Sequence, residues 1–166
     1  KDLKPDIIFL FGTGILKDGW LDRFENKIIN LHLGLSPFYR GSATLFWPFV
    51  NDELECVGAT IHIAAKKVDA GDILHREKPN IEFDDNYYSI NYKTIKSTID
   101  ILPSIAIKFI QGEIELIKQD ISNGKVYKKS DFNESVLTSV LDKYKDSISK
   151  DVVSKIKGSN KCICCQ

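Results

Sequence analysis

Two apolar runs with a short helical stretch between them constrain this chain more than anything else in it. Residues 5–11 (Pro-Asp-Ile-Ile-Phe-Leu-Phe) are rich in β-forming side chains and show no polar alternation. Such a run suits a strand covered on both faces, as in a parallel sheet. Gly12-Thr13-Gly14 ends it, and residues 18–24 then read as a short helix with Trp20, Leu21 and Phe24 turned inward. Residues 27–32 form a second strand. Strand, helix and strand at these lengths imply an α/β sheet with right-handed crossovers.

Further along, residues 33–42 form a loop held by Gly34, Pro37 and Gly41. Residues 43–50 are apolar and predicted helical, with Pro48 as a kink or an end. Residues 57–64 give a third strand, and 73–76 a short fourth. Then the period changes. Tyr88, Tyr92, Ile95, Ile99, Leu102, Ala106 and Phe109 step by fours and threes, the mark of one apolar helix face. Pro103 should bend or split that helix. Asn123-Gly124 signals a turn, and Val136, Leu137, Val140, Leu141, Tyr144 and Ile148 define a last amphipathic segment.

The bulk numbers exclude several classes of function. At 166 residues the length suits one domain with a sizeable core. Lys and Arg number 23, and so do Asp and Glu, so no basic field exists to hold a nucleic acid. The longest apolar runs fall far short of a membrane span, and no signal peptide opens the sequence. The chain starts at Lys1 and contains no Met, so it is expected to be a fragment of a longer protein. Cys56 beside an apolar stretch reads as a small core residue. Cys162, Cys164 and Cys165 crowd a terminus that reads as a frayed tail, without the paired spacing of a zinc site. Nothing suggests a disulfide framework, and a reducing cytoplasm is the expected compartment.

The chemistry concentrates around the second strand. Side chains alternate along a strand, so Asn30 and His32 share a face where it runs into the loop. An amide donor beside an imidazole can bind an oxyanion and move a proton. Val68-Asp69-Ala70-Gly71-Asp72 can supply a carboxylate; Asp69 is the candidate, and Asp72 reads as a turn or cap residue. A carboxylate near His32 would raise the imidazole's basicity. Thr60 and His62 share a face of the third strand. Gly12-Thr13-Gly14 hints at a dinucleotide fingerprint, but Lys17 occupies the third glycine position and no acidic ribose ligand follows at the required distance. His32, His62, His75 and Asp69 lack the spacing of a helical zinc site, so no metal is expected.

Asn30-Leu31-His32, Tyr39-Arg40-Gly41, Gly58-Ala59-Thr60-Ile61-His62 and Val68-Asp69-Ala70-Gly71-Asp72 together resemble the folate-dependent formyltransferases. These are the enzymes that formylate glycinamide ribonucleotide, methionyl-tRNA or amino sugars. The resemblance covers about residues 5–129 and implies a Rossmann-like α/β fold, with a mostly parallel sheet flanked by helices. It also implies that the first strand–helix units of the family, which usually bind the acceptor's phosphate or nucleotide, are missing here. Residues 1–129 would be the C-terminal part of the catalytic domain, and 130–166 a helical extension with a flexible Cys-containing tail. By the same resemblance the co-substrate is 10-formyltetrahydrofolate and the product a formylated amine. Asn30 and protonated His32 stabilise the oxyanion, and Asp69 supports His32. Gly14, Ile15 and Leu16 wall the folate pocket, and Ala64, Ala65, Lys66, Lys67 and Val68 wrap the pterin.

Ser36, Arg40, Thr60 and His62 are the candidate acceptor contacts, Arg40 through its planar fork. Thr60-x-His62 resembles the purine-pathway enzymes and the formyltetrahydrofolate hydrolases. Ser36-Pro37 stands where many members have Leu-Pro. The acceptor is expected to be a small-molecule amine, an amino sugar carried on a nucleotide. A tRNA acceptor would call for a basic surface that this neutral chain lacks. Phe46, Trp47 and Phe49 offer aromatic surface for stacking a sugar or base. Association into a homodimer is left open, as are a hydrolase and a silent folate-binding module.

Overall fold

The computed structural model describes residues 4–159, 161 and 162. Four strands, β1 (Ile8–Phe11), β2 (Ile28–His32), β4 (Ala59–Ile63) and β5 (Ile73–Glu77), form one sheet in that order. The intervening β3 (Tyr39–Gly41) pairs instead with β6 (Lys125–Tyr127) in a separate two-stranded sheet. Helices α1 (Asp18–Arg23), α2 (Trp47–Val50), α3 (Tyr87–Ile110), α4 (Glu134–Tyr144) and α5 (Lys150–Gly158) complete the α/β fold.

The pairing is mixed. β1–β2 and β3–β6 run parallel, while β2–β4 and β4–β5 run antiparallel. The link between β4 and β5 contains no helix, and parallel strands need a crossover of a dozen or more residues. β5 therefore returns alongside β4. Among the described residues β1 has one neighbour, and Phe9 and Phe11 are exposed rather than covered on both faces.

Two apolar clusters hold the molecule together. Ile29, Ile61, Ile63 and Leu74 of the sheet pack against Ile105 of α3. Leu35, Tyr39, Phe46, Trp47, Phe49, Val140, Tyr144 and Val153 join the loops to α2, α4 and α5. The residue types that looked available for stacking are thus core: Phe46, Trp47 and Phe49 are all buried, with Trp47 stacked on Tyr127 at 4.5 Å.

Several local expectations change. Ala43 has a left-handed φ of 55°, which no helix interior accepts, so α2 starts only at Trp47 and Pro48 sits in its first turn. α1 buries none of its residues, and Trp20 is exposed. α3 is continuous through Pro103. Its buried face is Ile90, Thr94, Thr98, Ile105 and Ala106, while Tyr88, Tyr92 and Ile99 are exposed. Thr94 and Thr98 can sit inside because their hydroxyls donate to the carbonyls of Ile90 and Thr94, at 2.8 and 2.7 Å. Beyond the amphipathic segment that ends at Ile148, residues 150–158 form a further helix, with the Ser149 side chain capping Val152 N–H.

Cys56 and Cys162 form a disulfide across a sequence separation of 106. This overturns the readings of Cys56 as a plain core residue and of Cys162 as part of a frayed tail. Their nearness depends on α5 folding back near the turn at Leu54–Cys56, which no sequence spacing announces. Cys164 and Cys165 lie outside the described residues.

Candidate active site

Antiparallel pairing of β2 with β4 sets Asn30 opposite His62 and His32 opposite Thr60. Directly opposed residues point to the same face. Asn30 Nδ2 thus lies 3.2 Å from His62 Nε2. Asp69 enters from the loop after β4 with a left-handed φ of 45°. Its Oδ1 accepts from Asn30 Nδ2 at 3.3 Å and lies 3.6 Å from His62 Nε2. Oδ2 accepts from Gly41 N–H at 2.8 Å and lies 3.4 Å from His32 Nδ1. Gln119 pins the loop from below by donating to the carbonyls of Asp69 and Gly71, at 3.2 and 2.5 Å.

The proton positions follow from these partners. His32 Nε2 stands 2.9 Å from the Tyr39 carbonyl, which can only accept, so Nε2 carries the hydrogen. Burial lowers the His32 pKa, outweighing the upward pull of Asp69. The resting imidazole is therefore neutral, with the Nδ1 lone pair turned to the carboxylate. This differs from the protonated imidazole that the resemblance suggested. Burial alone would raise the Asp69 carboxyl; the two imidazoles beside it and the Gly41 amide together hold it below the usual range. His62 Nδ1 faces the Ile63 carbonyl at 2.8 Å, which leaves Nε2 to accept from Asn30. Both amide hydrogens of Asn30 are thereby engaged. The corner offers an anionic carboxylate, a neutral base and an oriented amide donor within one hydrogen-bonded unit, a set able to move a proton and stabilise developing negative charge.

These four residues lie on a cavity of about 670 Å³. Gly14, Ile15, Leu16, Ala64, Ala65, Lys66 and Val68 line it as well. Lys67 does not, and its side chain is exposed. Ser36, Arg40 and Thr60 are not brought to the cavity either. Ser36 and Thr60 are fully buried, with Thr60 accepting from Ser36 N–H at 2.9 Å and donating to the Gly34 carbonyl at 2.7 Å. Arg40 is buried, and its guanidinium donates to the Val68 and Ile121 carbonyls at 3.4 and 3.3 Å. All three brace the loops around the site. Lining residues that the sequence did not reveal are Thr44, Tyr87, Asn91 and Phe132. Tyr87, Asn91 and Ile95 lie at a spacing of four, and that rhythm was the available signal, masked by the stronger stripe beginning at Tyr88. Among the described residues no group of three or more His, Cys, Asp or Glu is disposed to hold a metal ion. No helix among them is long and apolar enough to cross a membrane.

An α/β domain with this corner on a cavity has room for a small molecule beside groups able to move a proton. The sequence profile of the formyl transferase family matches residues 1–106, and the chain belongs to that family. Solved structures of similar fold include the formyltransferase PseJ from Anoxybacillus kamchatkensis, in complex with UDP-4,6-dideoxy-4-formamido-L-AltNAc and tetrahydrofolate. That match is 26% identical, covers 91% of this chain and 76% of PseJ, and has a TM-score of 0.66. The sugar 3N-formyl transferase WlaRD, solved in the presence of dTDP and 5-N-formyl-THF, is 26% identical over 76% of this chain and 46% of its own, at 0.65. Phosphoribosylglycinamide formyltransferase from Bacillus halodurans shares the fold at 24% identity and a TM-score of 0.57, over 63% of this chain and 54% of its own. The chain thus spans about three quarters of PseJ and less than half of WlaRD.

Proposed function

We propose that this chain carries the active site of a 10-formyltetrahydrofolate-dependent formyltransferase whose acceptor is a nucleotide-linked amino sugar. The observation that carries the reading is the convergence of Asn30, His32 and Asp69 on one cavity. Family membership supplies the reaction class. PseJ and WlaRD, whose structures hold sugar-nucleotide or nucleotide and folate ligands, support the acceptor.

The apolar, largely backbone surface of Gly14, Ile15, Leu16, Ala64, Ala65 and Val68 fits a flat pterin, and these residues would hold the folate. The acceptor nitrogen attacks the formyl carbon, a C–N bond to the acceptor forms, and the bond from that carbon to N10 of the folate breaks. Asn30 turns one amide hydrogen from Asp69 to the oxygen as negative charge grows on it. The amine proton passes to His32 Nδ1, where Asp69 stabilises the resulting imidazolium, and leaves to the departing nitrogen. The balance is one proton moved and no oxidant consumed. Residues 1–129 form the catalytic part in this reading, with 130–166 as its extension.

The test offers 10-formyltetrahydrofolate together with UDP- and dTDP-linked amino sugars, glycinamide ribonucleotide and charged initiator tRNA in parallel. Formylation of an amino sugar is the expected result, and formylation of tRNA alone would sink the acceptor choice. His62 beside the carboxylate also suits activation of water, so formate release is followed without any amine. Release at a rate equal to transfer would turn the reading to a hydrolase.

A further inference from the structure

The wall of the cavity contributed by α3 holds a polar atom that the proposed chemistry does not use. Asn91 stands on α3 between Tyr87 and Ile95, four residues from each, and all three line the cavity. Asn91 Oδ1 is buried and has no hydrogen-bond partner. A buried carbonyl oxygen left without a donor is costly, and most buried polar atoms find one. Burial raises the Tyr87 phenol, and the Asn91 side chain acts against that rise. Oδ1 is the end of the Asn91 side chain left without a partner.

The surroundings indicate what that oxygen meets. Phe46 stands edge-on to Tyr87 at 6.4 Å and to Phe132 at 5.0 Å, and all three rings line the cavity together with Asn91. Thr44 lines the same wall. The folate surface described above is a separate group, tied to α1 through Lys66, which reaches Asp22 at 3.3 Å and Asp18 at 3.9 Å. Asn30, His32 and Asp69 belong to neither group. With the folate on one wall, the acceptor takes the other. Aromatic rings favour the apolar faces of a sugar ring, and a lone carbonyl oxygen between them selects a donor.

We propose that Asn91 is a specificity-determining residue for the acceptor: its Oδ1 accepts a hydrogen bond from a hydroxyl or acetamido N–H of the sugar. The assignment rests on the amino-sugar reading above. It predicts discrimination against sugars that present only acceptors or a deoxy position to this wall, because the oxygen then stays unpaired.

The test compares wild type, Asn91→Leu and Asn91→Asp in the full protein. Asn91→Leu keeps the branching at Cγ and deletes the acceptor atom; Asn91→Asp retains it. KM and kcat are measured for a UDP-linked 4-amino-4,6-dideoxy sugar bearing a 2-acetamido group, and 5-formyltetrahydrofolate binding by calorimetry. For Asn91→Leu the acceptor KM should rise about tenfold, the loss expected for one buried hydrogen bond, with kcat changed less than about threefold. Asn91→Asp should stay within about threefold of wild-type KM, and folate affinity should be unchanged in both. If Asn91→Leu fails to fold by circular dichroism, Asn91→Ala replaces it, since it removes Oδ1 and adds no other acceptor. An unchanged acceptor KM in a folded variant overturns the inference and leaves the acceptor reading intact. So does an equal loss of folate affinity, which would place Asn91 against the pterin. Wild-type protein that binds folate but formylates no amino sugar overturns the acceptor reading, and this inference with it.

Discussion

The floor of the cavity and its α1 flank are made in opposite ways. On the floor, Asn30, His32, His62 and Asp69 are cross-linked by five contacts of 3.6 Å or less, counting the one from Gly41 N–H, and all but Asp69 stand on the two central strands. On the flank, Ile15 is 83% exposed and Trp20 56% exposed, α1 buries nothing, and Lys66 meets Asp18 and Asp22 in open solvent. A group that must transfer a proton works best when its partners fix its orientation beforehand. A surface that must receive a large ring system can instead be drawn from the least stable part of the molecule. In the proposed function, the contrast separates residues that set rate from residues that set access.

The largest effects belong to the floor. His32→Ala should cut turnover by about 10² to 10⁴, the usual worth of a positioned acid–base group, in a protein that still folds. Turnover within tenfold of wild type in a folded protein would dissolve the distinction drawn here. The backbone beneath the floor should be nearly as intolerant. Gly41 has a φ of 97°, and an added Cβ would lie 2.2 Å from the Tyr127 carbonyl oxygen. Gly12 on the flank also has a left-handed φ, of 63°, but an added Cβ there meets nothing. Urea denaturation should show Gly41→Ala losing more than about 2 kcal/mol and Gly12→Ala about 1 kcal/mol. Equal losses would mean that the two regions share one rigidity.

Acid should distinguish the regions next. His32 has a folded pKa below its unfolded value near 6.5, so the unfolded chain binds the proton more readily. Stability is therefore full above that pH and falls as the pH drops through and below it. Asp69, depressed below its ordinary 3.8, adds a second loss as the pH falls through its folded value. Urea midpoints between pH 7.5 and 5 should decline in wild type and flatten in His32→Gln. A flat wild-type profile would refute the assignment of a neutral, buried His32. The smallest effect is expected at Lys66, whose ion pairs are exposed and screened. Lys66→Ala should leave the melting temperature unchanged and shift 5-formyltetrahydrofolate binding by less than about twofold, as calorimetry would read it.

What could be read from the sequence follows the range of the interactions. The strand at 28–32, the shared face of Asn30 and His32, and the candidate carboxylate at Asp69 are local patterns, and the structure brings them together. The inward face of α3 was misread because Thr94 and Thr98 look polar in a sequence, whereas their hydroxyls are satisfied within the helix. Arg40 looked like an anion clamp for the opposite reason. Its charge is visible in the sequence, but the carbonyls of Val68 and Ile121 that occupy it are not. The pairing of Tyr39–Gly41 with Lys125–Tyr127 and the Cys56–Cys162 bond depend on residues far apart in the chain, and no periodicity reports such contacts.

The disulfide has a mechanical consequence. It closes the stretch from Cys56 to Cys162 into a covalent ring that contains His62, Asp69 and Asn91, and leaves Asn30 and His32 on the strand outside it. A chain pulled from its two ends can then lengthen only outside the ring. At about 3.5 Å per residue the fully stretched molecule would reach about 200 Å, against about 580 Å once the bond is reduced. Under load the ring that holds His62, Asp69 and Asn91 cannot be drawn out, so the polar corner can part only along the seam between β2 and β4, where the proposed chemistry sits.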